Sequence, residues 1–510
     1  MLGRPYIFSM VMMFGGIILD NKGTKDLDHA FLGQPRGLST LFFTEFWERF
    51  SYYGMRAILI YYMYYSIADG GLGMDKGLAA SVMSIYGSLV YLSSVLGGFM
   101  SDRIWGSRRT VLYGGILIMF GHIALSVPAG QWALFLAIVL ITIGTGLLKP
   151  NVSEMVGGLY KEGDNRRDSG FTIFVFGINF GSLLSPLIVG KAQSLFNFHV
   201  GFSLAAIGMF FGLISYWRGG KRYLSKDSMF PNDPLEPGDA KKLSFRITLG
   251  AIAFVLVVLI MKVFDALTIL NFISLLTVIA VITPFVIFAM ILSSKKVTTT
   301  ERSRVWAYVP LFIAAAIFWA IEESGSTVLA RFADEQTQNN LGWIHIQPAF
   351  YQSLNPLFIV LLTPIFATLW TTLGKRQPSS PTKFSIGLIF AGLSYLFMVL
   401  PVAMFGVDAK VSPLWLVGSW FIVEIAELLI SPIGLSVTTK LAPRAFQSSM
   451  MSMWFLADSA GQAVNSQIVQ FYTPENEVRY FAITGIVAIV AAIVLAFLIK
   501  PIKRLMAGVN

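Results

Sequence analysis

The sequence predicts an all-α polytopic membrane protein with fourteen transmembrane helices, and three observations predict it. Of its 510 residues 55% are hydrophobic and 13% charged, with a mean hydropathy of +0.68; a soluble chain carries about 45–50% apolar and about 25% charged residues. Apolar segments of about 20 residues, the length that spans a bilayer, recur along the whole chain. Lys and Arg alternate in density between successive connectors, as a threaded topology requires. Intrinsic disorder, coiled coils and ordinary cytosolic domains are excluded. A transmembrane barrel would show alternating segments of about 10 residues, and none occur.

Taken in order, the leader 1–37 contains an apolar stretch, Pro5 to Leu19. Fifteen residues at about 1.5 Å each reach about 22 Å, short of a roughly 30 Å hydrocarbon core. It is expected to be an interfacial extension outside the fold. The spans read 38–66, 79–100, 110–127, 132–150, 170–191 and 200–218, then 245–264 and 267–292, then 305–330, 348–373, 384–405, 412–439, 446–472 and 478–500. The polar connector 219–243 and the charged stretch 293–304 set off the seventh and eighth spans, which carry almost no buried charge. The plan is therefore a six-helix bundle 38–218, a linker region 219–304 with an inserted helix pair, a second six-helix bundle 305–500, and a tail 501–510. Two six-helix halves are how major facilitator transporters are built, with the substrate site at the midplane between them.

With both termini placed in the cytoplasm, and six residues near span ends (Lys191, Arg218, Arg246, Lys262, Arg479 and Lys500) counted with the adjoining connector or tail, the leader holds 4 Lys and Arg, the inner connectors and tail 25, the outer connectors 6, and the spans 3. This is a strong positive-inside bias. The net charge of +10 is thus a topology signal for a protein of the cell membrane, with its partner the lipid bilayer and no role for nucleic acid. Cysteine is absent and four His are scattered (His29, His122, His199, His345), which excludes thiolate chemistry and argues against a metal site. No cofactor and no enzymatic activity are expected.

Ten ionisable residues fall within the spans: Glu45, Glu48, Arg49, Arg56, Lys149, Glu322, Glu323, Glu424, Glu427 and Asp458. Each costs roughly 3 kcal/mol at a helix centre, so they must face one another or water. Glu45, Glu48, Arg49, Tyr52, Tyr53 and Arg56 share one helix face, and Glu45 and Arg49 form an i,i+4 pair. Trp319, Glu322 and Glu323 share another face, as do Glu424, Glu427 and Ser431. Trp454, Asp458, Gln462 and Asn465 form a polar stripe, as cavity-lining helices do. For Glu424 and Asp458 packing or a span edge is the expectation. In Gly144-Thr-Gly146-Leu-Leu-Lys149-Pro150 the glycines suit close packing, and no phosphate-binding loop is present. Asn179 sits inside Gly177-x-Asn179-x-Gly181, and Asn355-Pro356 places an amide beside a freed carbonyl. Cations (Arg56, Lys149) and acidic or amide groups (Glu427, Asn179, Asn355) lie on different spans, which suits a zwitterion with separated termini. Tyr52, Tyr53, Tyr91, Trp319 and Trp454 supply aromatic surface for varied side chains.

Thr44-Glu45-Phe-Trp-Glu48-Arg49-Phe50-Ser-Tyr52-Tyr53-Gly54 resembles the ExxER motif of the proton-dependent oligopeptide transporters, a branch of the major facilitator superfamily. Phe171-Thr172-x-Phe-x-x-Gly177-Ile-Asn179-x-Gly181-Ser182 resembles their second signature, and Gly98-x-x-x-Asp102-Arg103-x-x-Gly106-x-Arg108-Arg109 the superfamily loop. The resemblance runs from about 30 to 500 and implies a prokaryotic-type member. By matching positions it implies that Arg56 and Lys149 hold a peptide carboxylate. Glu427, Asn179 and Asn355 then hold its amino terminus, and Tyr52, Tyr53 and Tyr91 lie along its backbone. Trp319, Ser431 and Trp454 line side-chain pockets. Glu45, Glu48, Arg49 and Glu323 are the implied proton-coupling set, with Glu323 paired to Arg56. Lys149 and Glu427 form a gate pair, and Asp102 and Arg103 latch the inner gate. The implied function is proton-driven import of di- and tripeptides by a monomer. The span 79–100 lacks the His of animal members, so protons rest on carboxylates; the role of Glu322 stays open. A proton-coupled carrier of a drug, nitrate or amino acid, and a non-transporting peptide sensor, are the alternatives.

Overall fold

Fourteen long helices carry the computed structural model, which describes residues 28–161, 164, 166–342 and 344–508. In chain order they are α1 (Arg36–Tyr64), α2 (Lys76–Trp105), α3 (Ser107–Ser126), α4 (Gln131–Gly157), α5 (Arg167–Leu195) and α6 (Phe198–Tyr223). There follow α7 (Pro237–Val263) and α8 (Ile269–Ser293). The last six are α9 (Thr299–Glu335), α10 (Pro348–Leu373), α11 (Ser380–Phe405), α12 (Leu414–Leu441), α13 (Gln447–Ile468) and α14 (Glu477–Leu505). The apolar stretch Pro5 to Leu19 lies outside the described residues. Twelve of the helices are long and apolar enough to cross a membrane. The two that fall short, α1 and α13, carry buried charged and amide residues, among them Glu48, Arg49, Asp458 and Gln462.

Two helices differ from expectation. α7 starts at Pro237 rather than near 245, because proline suits the first helical turn, where its missing N–H is not needed. The expected single span 305–330 is longer and broken: α9 reaches Glu335 but passes through a 3₁₀ turn at Glu323–Ser326. The hydroxyls there explain the break. Ser324 donates to the Ala320 carbonyl at 2.7 Å, Ser326 to that of Glu323 at 2.9 Å, and Thr327 to that of Ser324 at 3.2 Å. Side chains thus take up carbonyls that an unbroken helix would use.

The same helix pairings recur in both halves. α1 packs on α5 and α6, and α3 on α4 and α6; correspondingly α9 packs on α13 and α14, and α11 on α12 and α14. Small residues set close crossings in the first half. A Cβ on Gly144 would stand 2.7 Å from the Gly114 carbonyl oxygen, and one on Gly114 2.6 Å from that of Gly144. The glycines before Lys149 therefore serve close packing.

The halves meet along two seams, α2 with α13 and α5 with α10. Ser88 and Ser459 hydroxyls lie 3.1 Å apart across the first, and Ser353 donates to the Leu183 carbonyl at 2.8 Å across the second. The inserted pair is uneven. α8 packs on both α13 and α2, with the Thr277 and Ser466 hydroxyls 3.0 Å apart, whereas among the described side chains of α7 none is fully buried. At the end of the bundle where α1 stops, it is tied to the end of α9. Tyr61 donates to the Ala330 carbonyl at 3.0 Å, Tyr64 and Tyr65 donate to the Asp334 carboxylate at 2.7 and 2.8 Å, and Lys76 meets Glu335 at 3.3 Å.

Candidate functional site

The break in α9 sets the site. It turns Glu322, Glu323 and Ser326 towards the middle of the molecule, where α1 presents Tyr53 and Arg56, α2 Tyr91, α10 Gln352 and Asn355, and α12 Trp420 and Glu427. These residues and Trp319 line a cavity of about 190 Å³ between the halves. On its wall the Arg56 guanidinium pairs with the Glu323 carboxylate and donates to Ser326 Oγ at 2.9 Å. Both charged side chains are only 8% exposed. The pair crosses from the first half to the second.

Below Arg56 on the same face of α1 is a second charged set. Arg49 pairs with Glu48 and meets Glu45 at 3.2 Å. The Tyr52 ring lies between two guanidiniums, 5.4 Å from that of Arg49 and 5.9 Å from that of Arg56. Cations over an aromatic face are attracted by its quadrupole. Several buried atoms of this set lack hydrogen-bond partners: Glu45 Oε2, Glu48 Oε1, Arg49 Nη2 and the Tyr52 hydroxyl. Such orphans are costly, and they leave a proton somewhere to bind.

Across the cavity Asn355 Nδ2 donates to Glu322 at 2.7 Å and to Glu424 at 2.7 Å, with Glu427 at 3.4 Å. Glu424 was expected at a span edge or in packing; it is wholly buried and belongs to this group. Asp458 is buried too and accepts from Gln462 at 2.7 Å. Lys149 Nζ lies 3.9 Å from the centre of the Tyr91 ring and 5.8 Å from that of Phe455. The rings of Trp319 and Trp454 stand 6.3 Å apart.

This geometry can be set beside known proteins. Residues 108–487 match the POT family model. The chain is 52% identical over 493 residues to a di-/tripeptide transporter of Lactococcus lactis subsp. cremoris, covering 95% of this chain and 99% of the relative. The chain belongs to the POT family. It is also 53% identical over 480 residues to the uncharacterized transporter YclF of Bacillus subtilis, covering 94% and 96% of the two chains. A crystal structure of a peptide transporter POT in complex with sulfate superposes with a TM-score of 0.91 at 52% identity, covering 94% of this chain and 98% of that one. Its fold, and that of this chain, is the major facilitator arrangement of two six-helix bundles with two added helices.

Within this POT-family site the expected residues are gathered unevenly. Arg56, Glu323, Tyr53, Tyr91, Trp319, Asn355 and Glu427 share the cavity. Lys149 and Glu427 are not paired: among the described residues no carboxylate lies within 4 Å of Lys149. Asn179 does not line the cavity; its amide donates to the Val175 carbonyl of its own helix at 3.0 Å. Ser431 and Trp454 also lie off the cavity wall, Trp454 buried against Gly434. Arg103 pairs with Asp233 of the 219–243 connector, and the Asp102 carbonyl accepts from Asp233 N at 2.9 Å. Four lining residues were not anticipated as site residues: Ala57, Ser326, Gln352 and Trp420. Ser326 lies in the hydroxyl-rich break, the one local signal that could have marked it. Gln352 donates to the Gly325 carbonyl at 2.8 Å, a contact that exists only because α9 breaks there.

Proposed function

We propose that the chain imports di- and tripeptides together with protons across the cell membrane by alternating access, with both termini in the cytoplasm. The observation that carries this reading is the buried Arg56–Glu323 pair on the cavity wall. A carboxylate-bearing ligand and a proton compete for its two halves. Protonating Glu323 frees Arg56 for the peptide carboxylate; the Glu322 and Glu427 side of the cavity suits the amino terminus. Deprotonation restores the pair and expels the peptide. The inward proton contributes about 2.3 kcal/mol per 100 mV and about 1.4 kcal/mol per pH unit.

The Tyr64, Tyr65 and Asp334 contacts close what this topology makes the outer end, so the cavity belongs to a state shut to the outside. Lys149 and Glu427 come together when the other end closes. The proton gradient is the energy source and no covalent step is involved. The test is transport by Glu323→Gln in proteoliposomes: proton-driven accumulation of alanyl-alanine is lost while counterflow is retained. Equal loss of both modes refutes the coupling role.

A further inference from the structure

The wall facing Arg56 holds more carboxyl groups than one peptide amino terminus can engage. Glu322 of α9, Glu424 and Glu427 of α12 each bring one carboxylate oxygen within 4.8 Å of the others. Among the described residues no Lys, Arg or His lies within 4 Å of any of them: Arg56 is engaged by Glu323, and Lys149 lies over Tyr91. Asn355 stands in the middle, but an amide nitrogen has two hydrogens for three acceptors. A second observation is independent of the clustering. Glu424 is completely buried, and among the described residues its Oε2 receives no hydrogen bond from an N–H or hydroxyl donor, with only the Glu427 carboxyl beside it. Glu322 and Glu427 open this group to the cavity.

We propose that Glu322, Glu424 and Glu427 around Asn355 form a subsite for a second positive charge, so that peptides beginning with lysine or arginine are favoured ligands. The proposal rests on the peptide reading above. Carboxylates this close cannot all be ionised in a poorly solvated wall unless cations or protons neutralise them. Glu323, Arg56 and Asp458 are the other charged groups that face Glu322. A neutral peptide supplies one ammonium and leaves the surplus to protons. An N-terminal lysine supplies two, each ammonium with three donors, and takes up the oxygens that Asn355 cannot serve. A C-terminal lysine places its charge towards Arg56 and gains nothing.

The test is competition for uptake of labelled alanyl-alanine into proteoliposomes. Competitors are lysyl-alanine, norleucyl-alanine (a similar side chain without the charge) and alanyl-lysine. Lysyl-alanine is expected to compete about tenfold better than norleucyl-alanine, the effect of one added hydrogen bond between charged groups, and alanyl-lysine no better. Glu322→Gln and, separately, Glu424→Gln bring the lysyl to norleucyl ratio towards one. Lysyl-alanine competing no better than norleucyl-alanine in the unmodified chain overturns the subsite, and so does a ratio unmoved in Glu322→Gln. Absence of any alanyl-alanine uptake is a different result, which removes the peptide reading itself.

Discussion

Arg56 of α1 and Glu323 of α9 form an ion pair that crosses between the two halves of the molecule, with each side chain 8% exposed. Removing one member of such a pair strands the other as an uncompensated buried charge. Arg56→Ala is therefore expected to destabilise by about 3–5 kcal/mol, while Arg56→Met combined with Glu323→Gln recovers most of the loss. Thermal unfolding in detergent compares the two. Similar melting of the single and double variants would show that the pair does not hold the halves together.

Asp334 accepts two phenol hydroxyls, from Tyr64 and Tyr65, both from the other half. Hydrogen bonds to a charged group are worth about 1.5–3 kcal/mol each, so Asp334→Asn is expected to shift the protein towards the state open at that end. Because the chain has no cysteine, a single Gln352→Cys can report it. Labelling from outside by a membrane-impermeant maleimide should rise severalfold in the Asp334→Asn background. Unchanged labelling would leave Asp334 without a gating role.

The Gly114–Gly144 crossing brings backbone against backbone, and neither side can give way. Gly144→Leu should prevent α3 and α4 from closing, with a cost above the roughly 1–3 kcal/mol of ordinary overpacking. Gly250→Leu on α7, where an added Cβ meets nothing within 4 Å, should cost nearly nothing. Monodispersity on size-exclusion chromatography after heating separates the two outcomes.

Among the described residues Lys149 has no carboxylate within 4 Å in this state and lies against the faces of Tyr91 and Phe455. Lys149→Gln should therefore leave the melting temperature unchanged or slightly raised, yet reduce uptake by an order of magnitude or more if Lys149 closes the gate on Glu427. A large loss of stability would show that its role is structural.

Helix number, order and the face shared by Glu45, Glu48, Arg49 and Arg56 follow from hydropathy and the helical repeat, and the Arg56–Glu323 partnership follows from the family resemblance. What escaped the sequence shares one cause. The turn at Glu323–Ser326 is made by three hydroxyls acting together on the backbone, a cooperative effect that no single residue announces. Ser326 and Gln352 reach the cavity only because of it. Glu424 lay in plain view three residues before Glu427, on one helix face, but spacing alone does not say that Asn355 of another helix will stand beside it. Asn179, which the family resemblance implies as a holder of the amino terminus, lies off the cavity in this state, its amide turned back on its own helix.

α8 gives the two flanks of the molecule different characters. It covers the α2–α13 seam and is fastened there by Thr277 and Ser466, while the α5–α10 seam has no such cover. Lipid chains pressing inward meet a wall on one flank and a bare joint on the other. On the barer flank the joint is held by contacts such as that of Ser353 with the Leu183 carbonyl.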